Sequence, residues 1–287
     1  MSLEQFVVAR DQQPSCYPSR SSVRHPSWSE EDDGYAPSEF THDVVTSNAD
    51  DISTGGQWAD VQNSSPPLLG KRKTFVGHCR EDAVCISDTS CAYDTKRQRY
   101  LFPGGRTGII GRGLLGRFGP NHAADPIVTR MRDGKLQVIF VLRNDGSGML
   151  AFPGGMVDVG ATHTETLKAE FTQEACLPGG AVDRLFSQCE KRTVYRGPVD
   201  DWRTTDEAWI ETVAVHFHAP DDIASSLDLE VTDKAEVIKV GWHDAAAVVD
   251  SMYASHGALL KKVVLYMEEE ELILSRGPGA SYSFARR

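Results

Sequence analysis

The 287-residue chain has no apolar run near the ~20 residues that a membrane helix needs. It is therefore not read as a channel or an integral membrane protein. Its N-terminus has no apolar core flanked by basic residues, so no secretory leader is expected, and Glu4 and Asp11 weaken a mitochondrial reading of MSLEQFVVAR. Six cysteines, at positions 16, 79, 85, 91, 176 and 189, include no CxxC pair. They read as reduced thiols, and a zinc site built from His78, Cys79, Cys85 and Cys91 is disfavoured. Positive charge is also scarce: Lys plus Arg number 30 against 41 Asp plus Glu, a net charge of −11. That balance argues against general nucleic-acid binding.

What charge there is lies unevenly. Most of the excess acid falls within residues 1–65, whereas residues 104–132 hold Arg106, Arg112, Arg117, Arg130 and Arg132 against few acids. Such a local basic cluster suits a small anionic ligand, or is a solvated loop. Residues 1–33, rich in Ser, Pro, Gln and acids, cannot bury enough apolar surface to offset ordering and are expected to be disordered. Residues 34–120 read as a smaller cap subdomain of short, irregular apolar groups. Thr74-Phe75-Val76 and Ala83-Val84-Cys85-Ile86 are candidate strands, and Val44-Val45 is an irregular packing piece. Residues 121–275 carry the main domain, and 276–287 a frayed tail.

Gly111, Gly113 and Gly116 have GxGxxG spacing, but Gly119-Pro120 and Pro126 deny the helix that a dinucleotide fold requires. A glycine-rich loop whose amides face phosphate remains, or else a flexible connection. Pro126–Arg132 and Leu136–Arg143 read as strands joined at Asp133-Gly134-Lys135. Arg192–Gly197, the alternating Trp209, Glu211, Val213, Val215 and Phe217, and Val237–Trp242 are further strands. Residues 244–254 and 257–274 have helical spacing.

The most informative stretch is 152–177, FPGGMVDVGATHTETLKAEFTQEACL. It reads as a short strand, a glycine turn, a loop and a helix. Thr162 and Glu165 have the spacing of a capping box. Leu167 and Phe171 form an apolar stripe, and Pro178-Gly179-Gly180 stops the helix. Glu170 and Glu174, four apart, share one helix face with Gln173 beside them, a place for a hard cation with oxygen ligands.

This stretch resembles the Nudix hydrolase box. Anchored on Gly155, Glu170 and Glu174 take acidic positions of the pattern, and Phe171 and Leu177 its two apolar positions. Ala161, Ala169, Gln173 and Cys176 depart from it. Together, the runs GRTGIIGRGLLGRFGPNHAADPIVTR, FPGGMVDVG, VDDWRTTDEAWIETVAV and MYASHG resemble the ADP-ribose pyrophosphatase branch of that family and the homologous domain of melastatin-type cation channels, over roughly residues 35–267.

The resemblance implies a Nudix α/β/α sandwich with a mixed sheet behind the cap domain, with the ligand in the cleft between them. It implies ADP-ribose as substrate, AMP and ribose 5-phosphate as products, and Mg²⁺, or Mn²⁺, as cofactor. Glu170 and Glu174 are expected to hold the metal with the carbonyl of Gly155, and Gln173 to join them in the catalytic group. Arg203 is expected at the diphosphate. Asp201, Tyr253 and Ser255 match contacts to the nucleoside or terminal ribose, and His122 and Asp125 match cap-side contacts. Arg112, from the basic cluster, is also expected to bind substrate. Asp206 or Glu207 are candidates for general base. A monomer is expected, in the cytoplasm or alternatively the mitochondrion. Neutral Ala161, Ala169 and Gln173 leave a second reading open, a module that binds ADP-ribose without cleaving it.

Overall fold

Asp133 and Gly134 close a two-residue hairpin with φ of 52° and 71°, the left-handed pair that a type I′ turn demands. The computed structural model containing this hairpin describes residues 13, 15–50, 58–60, 73–74, 85–86, 93–96, 98–157, 161–199 and 201–276. Outside them lie most of the disfavoured zinc group, parts of the two candidate cap strands, and the expected frayed tail beyond residue 276.

Nine labelled strands organise the described chain: β1 (Ser38–Thr41), β2 (Ile109–Gly113), β3 (Gly119–Arg132), β4 (Lys135–Arg143), β5 (Leu150–Ala151), β6 (Gly155–Met156), β7 (Lys191–Pro198), β8 (Ala208–His218) and β9 (Val237–Asp244). The helices are α1 (Asp43–Asp50), α2 (His163–Glu174), α3 (Gly180–Gln188), α4 (Asp221–Ala224), α5 (Ala245–Val248) and α6 (His256–Arg276). Two-residue pairs, Lys73–Thr74 with Cys85–Ile86 and Tyr93–Asp94 with Arg99–Tyr100, complete the described part of the cap.

The main sheet runs β7-β8-β3-β4-β9, with β6 added to β3 and β5 to β4. The β3–β8 pair is parallel, and the others are antiparallel. Strand β3 begins earlier than the sequence suggests, because residues 119–125 continue the parallel register with β8. Pro126 falls in a gap, between the β6 partners Ala123 and Ala124 and the start of the β4 pairing at Thr129. A missing N–H is tolerated in a strand where no neighbour needs it.

Side-chain alternation divides the interior in two. Ala124, Val128, Ile139, Val141, Val213, Val215 and Phe217 face one core with Leu167 and Phe171 of α2 and Val182 and Leu185 of α3. Their neighbours Ile127, Val138, Phe140 and Ala214 face a second core with Leu259, Leu260 and Val263 of α6. Period-two strands covered on both faces make a three-layer α/β/α sandwich with a mixed sheet. Along β8, residues 208–217 are all buried, because β8 lies between β7 and β3 with helices on both faces.

Three expectations change. Residues 43–50 form α1 instead of an irregular piece, with Val45 fully buried. Only Ala245–Val248 of the expected 244–254 helix is helical. The chain then leaves to bond the Tyr253 N–H to the Leu150 carbonyl at 2.9 Å. Disorder does not extend over residues 15–33. Tyr17 is buried, Trp28 donates its indole N–H to the Phe102 carbonyl at 2.8 Å, and Arg106 donates to the carbonyls of His25, Ser27 and Glu30. A few aromatic and Arg anchors order a segment whose average composition is polar.

Candidate functional site

Helix α2 is fixed at its start by a complete capping box. Thr162 Oγ1 accepts from the Glu165 N–H at 3.2 Å, and the Thr162 N–H donates to Glu165 Oε2 at 2.8 Å. Leu167 and Phe171 bury the inner face, at about 1.5–3 kcal/mol each relative to exposure. This anchoring turns Glu170, Gln173 and Glu174 toward the Gly154-Gly155 turn. Glu174 is only 3% exposed, and its Oε2 accepts from the Gly154 N–H at 2.9 Å. Burial first, and the nearby Glu170 carboxylate as well, push the Glu174 carboxyl up to about 8. A Cβ at Gly155 would lie 2.5–2.6 Å from the Glu170 carboxylate, so the turn must be side-chain-free to lie against the helix.

These groups line a cleft of about 570 Å³. The size suits a small-molecule site. Of the expected residues, Gly155, Glu170, Gln173, Glu174, Asp125, Asp201, Arg203, Tyr253 and Ser255 all lie on its wall. Asp201 holds Arg203 through two side-chain bonds of 2.8 Å, and the Arg203 guanidinium in turn keeps the Asp201 carboxyl below the usual range. Asp125 accepts from Thr212 Oγ1 across the parallel β3–β8 pair. Tyr253 OH accepts from Trp202 Nε1 at 2.8 Å, and burial raises its pKa. Ala254, between Tyr253 and Ser255, has φ of 45°, a left-handed conformation that costs a non-glycine residue roughly 1–2 kcal/mol.

Several lining residues escape the sequence reading. Arg143 pairs with Asp145 at 2.9 Å, and its guanidinium lies 4.7 Å from the Tyr253 ring centre. His256 stacks on Phe152, and its Nδ1 accepts from the Phe152 N–H at 2.9 Å. Because Nδ1 accepts, it carries no proton, which places the ring proton on Nε2; burial also lowers the His256 pKa. Glu236 lines the same acidic side. None belongs to a motif with recognisable spacing; only His256 falls inside a quoted run, MYASHG.

Several expected groups lie off the cleft wall. Arg112 is fully buried outside the cleft lining, and its Nη1 donates to the carbonyls of Asp60 and Gly116. It braces the cap instead of facing a ligand. His122 alternates with Ala123 on β3 and is not on the cleft wall; its Nε2 lies 3.7 Å from Glu211 Oε2. Asp206 and Glu207 are buried, accepting from Thr107 and Tyr35 and from the Gly111 N–H respectively, so neither closes over the site. The glycine-rich stretch makes no phosphate cradle: it is β2 and its flanks, with the Gly111 amide spent on Glu207. The basic cluster is dispersed, since Arg106 and Arg112 bind carbonyls and Arg130 lies over Trp242.

Among the described residues no three His, Cys, Asp or Glu side chains converge as a metal-binding group. The Glu170–Glu174 pair offers oxygen alone, the donor set of a hard cation, and its crowded acids are an arrangement that a divalent ion relieves. Among the described residues, too, no helix is long and apolar enough to cross a membrane.

Comparison with known proteins agrees with this geometry. Residues 23–119 match a family model described as NUDT9-like, N-terminal domain. The chain is 38% identical to "Putative nudix hydrolase 6" of Caenorhabditis elegans, over 80% of this chain and 83% of that protein. It is likewise 38% identical to the mitochondrial ADP-ribose pyrophosphatase of Rattus norvegicus, over 82% of this chain and 70% of the relative. A transient receptor potential cation channel subfamily M member-like 2 protein of Nematostella vectensis is 37% identical over 80% of this chain, which spans only 15% of the channel. Among solved structures, the NUDIX domain of Shewanella oneidensis NrtR complexed with ADP ribose aligns with a TM-score of 0.41 at 16% identity, covering 52% of this chain and 89% of that one. The α/β/α sandwich, the glycine turn against two helix acids and the identity shared along most of two relatives lead to one assignment: the chain belongs to the Nudix hydrolases.

Proposed function

We propose that this protein hydrolyses the pyrophosphate of ADP-ribose, with water adding to one phosphorus and the bridging P–O bond breaking to give AMP and ribose 5-phosphate. The observation that carries the reading is one cleft uniting Glu170, Glu174, the Gly154-Gly155 turn and Arg203, in a chain 38% identical to the rat ADP-ribose pyrophosphatase. Glu170 and Glu174, with the carbonyl of Gly155, would hold Mg²⁺, with Mn²⁺ as the alternative. Such an ion, when bound, screens phosphate charge and lowers the pKa of a coordinated water.

The chain's own residues supply the rest. Arg203 keeps Nη1 for the diphosphate while Asp201 fixes its other edge. Tyr253, Ser255 and Asp125 line the walls for the nucleoside and ribose. Gln173 sits beside the acids without adding charge. A monomer is proposed. The cytoplasm is the proposed compartment, with the mitochondrion as the alternative that the rat relative's name supports.

A second reading, a sensor that holds ADP-ribose uncleaved, is favoured by the neutral residues Ala161, Ala169 and Gln173 in the box. Incubating the pure protein with ADP-ribose and Mg²⁺ separates the two. Hydrolysis releases AMP, and Glu174→Gln abolishes the release. A sensor returns the ligand intact after calorimetric titration.

A further inference from the structure

The turn bearing Asp201 and Arg203 is gripped from a distant part of the chain. Arg20 Nη2 donates to the carbonyls of Trp202 at 2.7 Å and Thr204 at 3.0 Å, while its Nη1 donates to the Thr107 carbonyl at 3.0 Å. Tyr17 OH donates to the carbonyl between them, that of Arg203, at 3.3 Å, and accepts from the Leu114 N–H at 2.7 Å. The Tyr17 ring also meets the Trp202 ring edge-on at 5.3 Å. Three successive carbonyls of the ligand-facing turn are thus held by two residues of the N-terminal segment.

The glycines beneath this segment give independent support. A Cβ at Gly113 would lie 2.2 Å from Tyr17 OH and 3.2 Å from the Arg203 carbonyl oxygen, and one at Gly108 would lie 2.6 Å from the Ser21 carbonyl oxygen. Gly108 and Gly113 also have positive φ, 86° and 58°. The glycine-rich stretch is therefore shaped to receive the segment that holds the turn.

We propose that Arg20, assisted by Tyr17, is a positioning residue for Arg203: it fixes the backbone from which the Arg203 side chain enters the cleft, and so sets anion affinity without touching the ligand. Its effect on affinity rests on the ADP-ribose reading; its effect on the turn does not.

Hydrogen exchange on the full chain tests the second part without any ligand. The Arg203 N–H bonds to Asp201 Oδ1 and the Thr204 N–H to the Asp201 carbonyl, so both are protected amides. In Arg20→Ala, and less strongly in Tyr17→Phe, peptides covering 202–205 are expected to exchange at least about tenfold faster, with β3 and β4 unchanged. No change at 202–205 in either variant, or equal acceleration throughout the sheet, overturns the proposal. Tyr17→Phe, which removes one oxygen, serves if Arg20→Ala does not fold, and Arg20→Lys should recover only part of the protection.

A double-mutant cycle on the KM for ADP-ribose tests the first part. Arg20→Ala should raise KM about tenfold in the wild-type background and less than about twofold in an Arg203→Ala background, with kcat nearly unchanged. Equal penalties in both backgrounds overturn it. A wild-type protein that ignores ADP-ribose defeats the functional reading instead, and the exchange result still decides whether Arg20 holds the turn.

Discussion

Asp201 grips Arg203 on one edge only, Oδ1 at 2.8 Å from Nε and Oδ2 at 2.8 Å from Nη2, and Nη1 has no hydrogen bond among the described residues. A guanidinium clamped along one edge keeps its plane while offering the remaining nitrogen. Arg203→Ala should therefore weaken ADP-ribose binding by about tenfold to a hundredfold, the worth of one charge-assisted bond. Asp201→Asn should cost less, because one oxygen still accepts. Calorimetric titration of both variants checks the order.

Glu174 predicts a pH dependence of opposite sign to that of an ordinary paired carboxylate. Its pKa in the folded chain is raised from 4.5 to about 8, chiefly by burial. Between these values the folded state binds more protons than the unfolded state, so stability falls as pH rises. Metal-free protein should lose melting temperature between about pH 5 and pH 8, and Glu174→Gln should flatten that slope. Mg²⁺ should raise the melting temperature more at pH 8 than at pH 6, since the deprotonated acid is the better ligand. Thermal melts across this range provide the measurement.

Two glycines in turns should behave oppositely. An alanine methyl at Gly155 would meet the Glu170 carboxylate at 2.5–2.6 Å, so Gly155→Ala should lower AMP release at least about tenfold by displacing that acid. An added methyl at Gly134 meets nothing within 4 Å but must adopt a φ of 71°. Gly134→Ala should cost about 1–2 kcal/mol of stability with activity unchanged. Denaturant melts and AMP assays on the two proteins separate site damage from turn strain.

Arg112 should behave as a structural brace. Arg112→Met leaves the carbonyls of Asp60 and Gly116 without this donor, a loss of about 1–3 kcal/mol. KM for ADP-ribose should stay within about twofold. A KM effect comparable to that of Arg203→Ala would return Arg112 to the ligand.

The sheet and helix α2 are legible because their signals are local. Asp133-Gly134 specifies its hairpin, Thr162 and Glu165 their capping box, and period-two apolar residues the two faces of β3, β4 and β8. Arg112 was misread because an Arg among glycines looks the same in sequence whether it faces phosphate or buried carbonyls. His122 was misread because a shift of one residue along a strand reverses the face. Asp206 and Glu207 were misread because their partners, Thr107, Tyr35 and Gly111, lie far away in the chain. The N-terminal segment is hidden by its polar average, since its anchoring comes from a few side chains such as Tyr17, Arg20 and Trp28 and from backbone carbonyls that Arg106 binds.

The parallel register that sets Gly119 against Ala208 and Thr129 against His218 also has a kinetic meaning. The hairpin beside it closes over two residues, an event of about 1–10 μs, whereas the parallel pair must bring together segments separated by the whole of β4, α2, α3 and β7. Asp125 and Thr212 meet only across that pair, and the Arg203 turn leads directly into β8. A newly made chain therefore has no complete cleft until these two strands have met, so any small molecule that fits it selects finished molecules and cannot template their assembly.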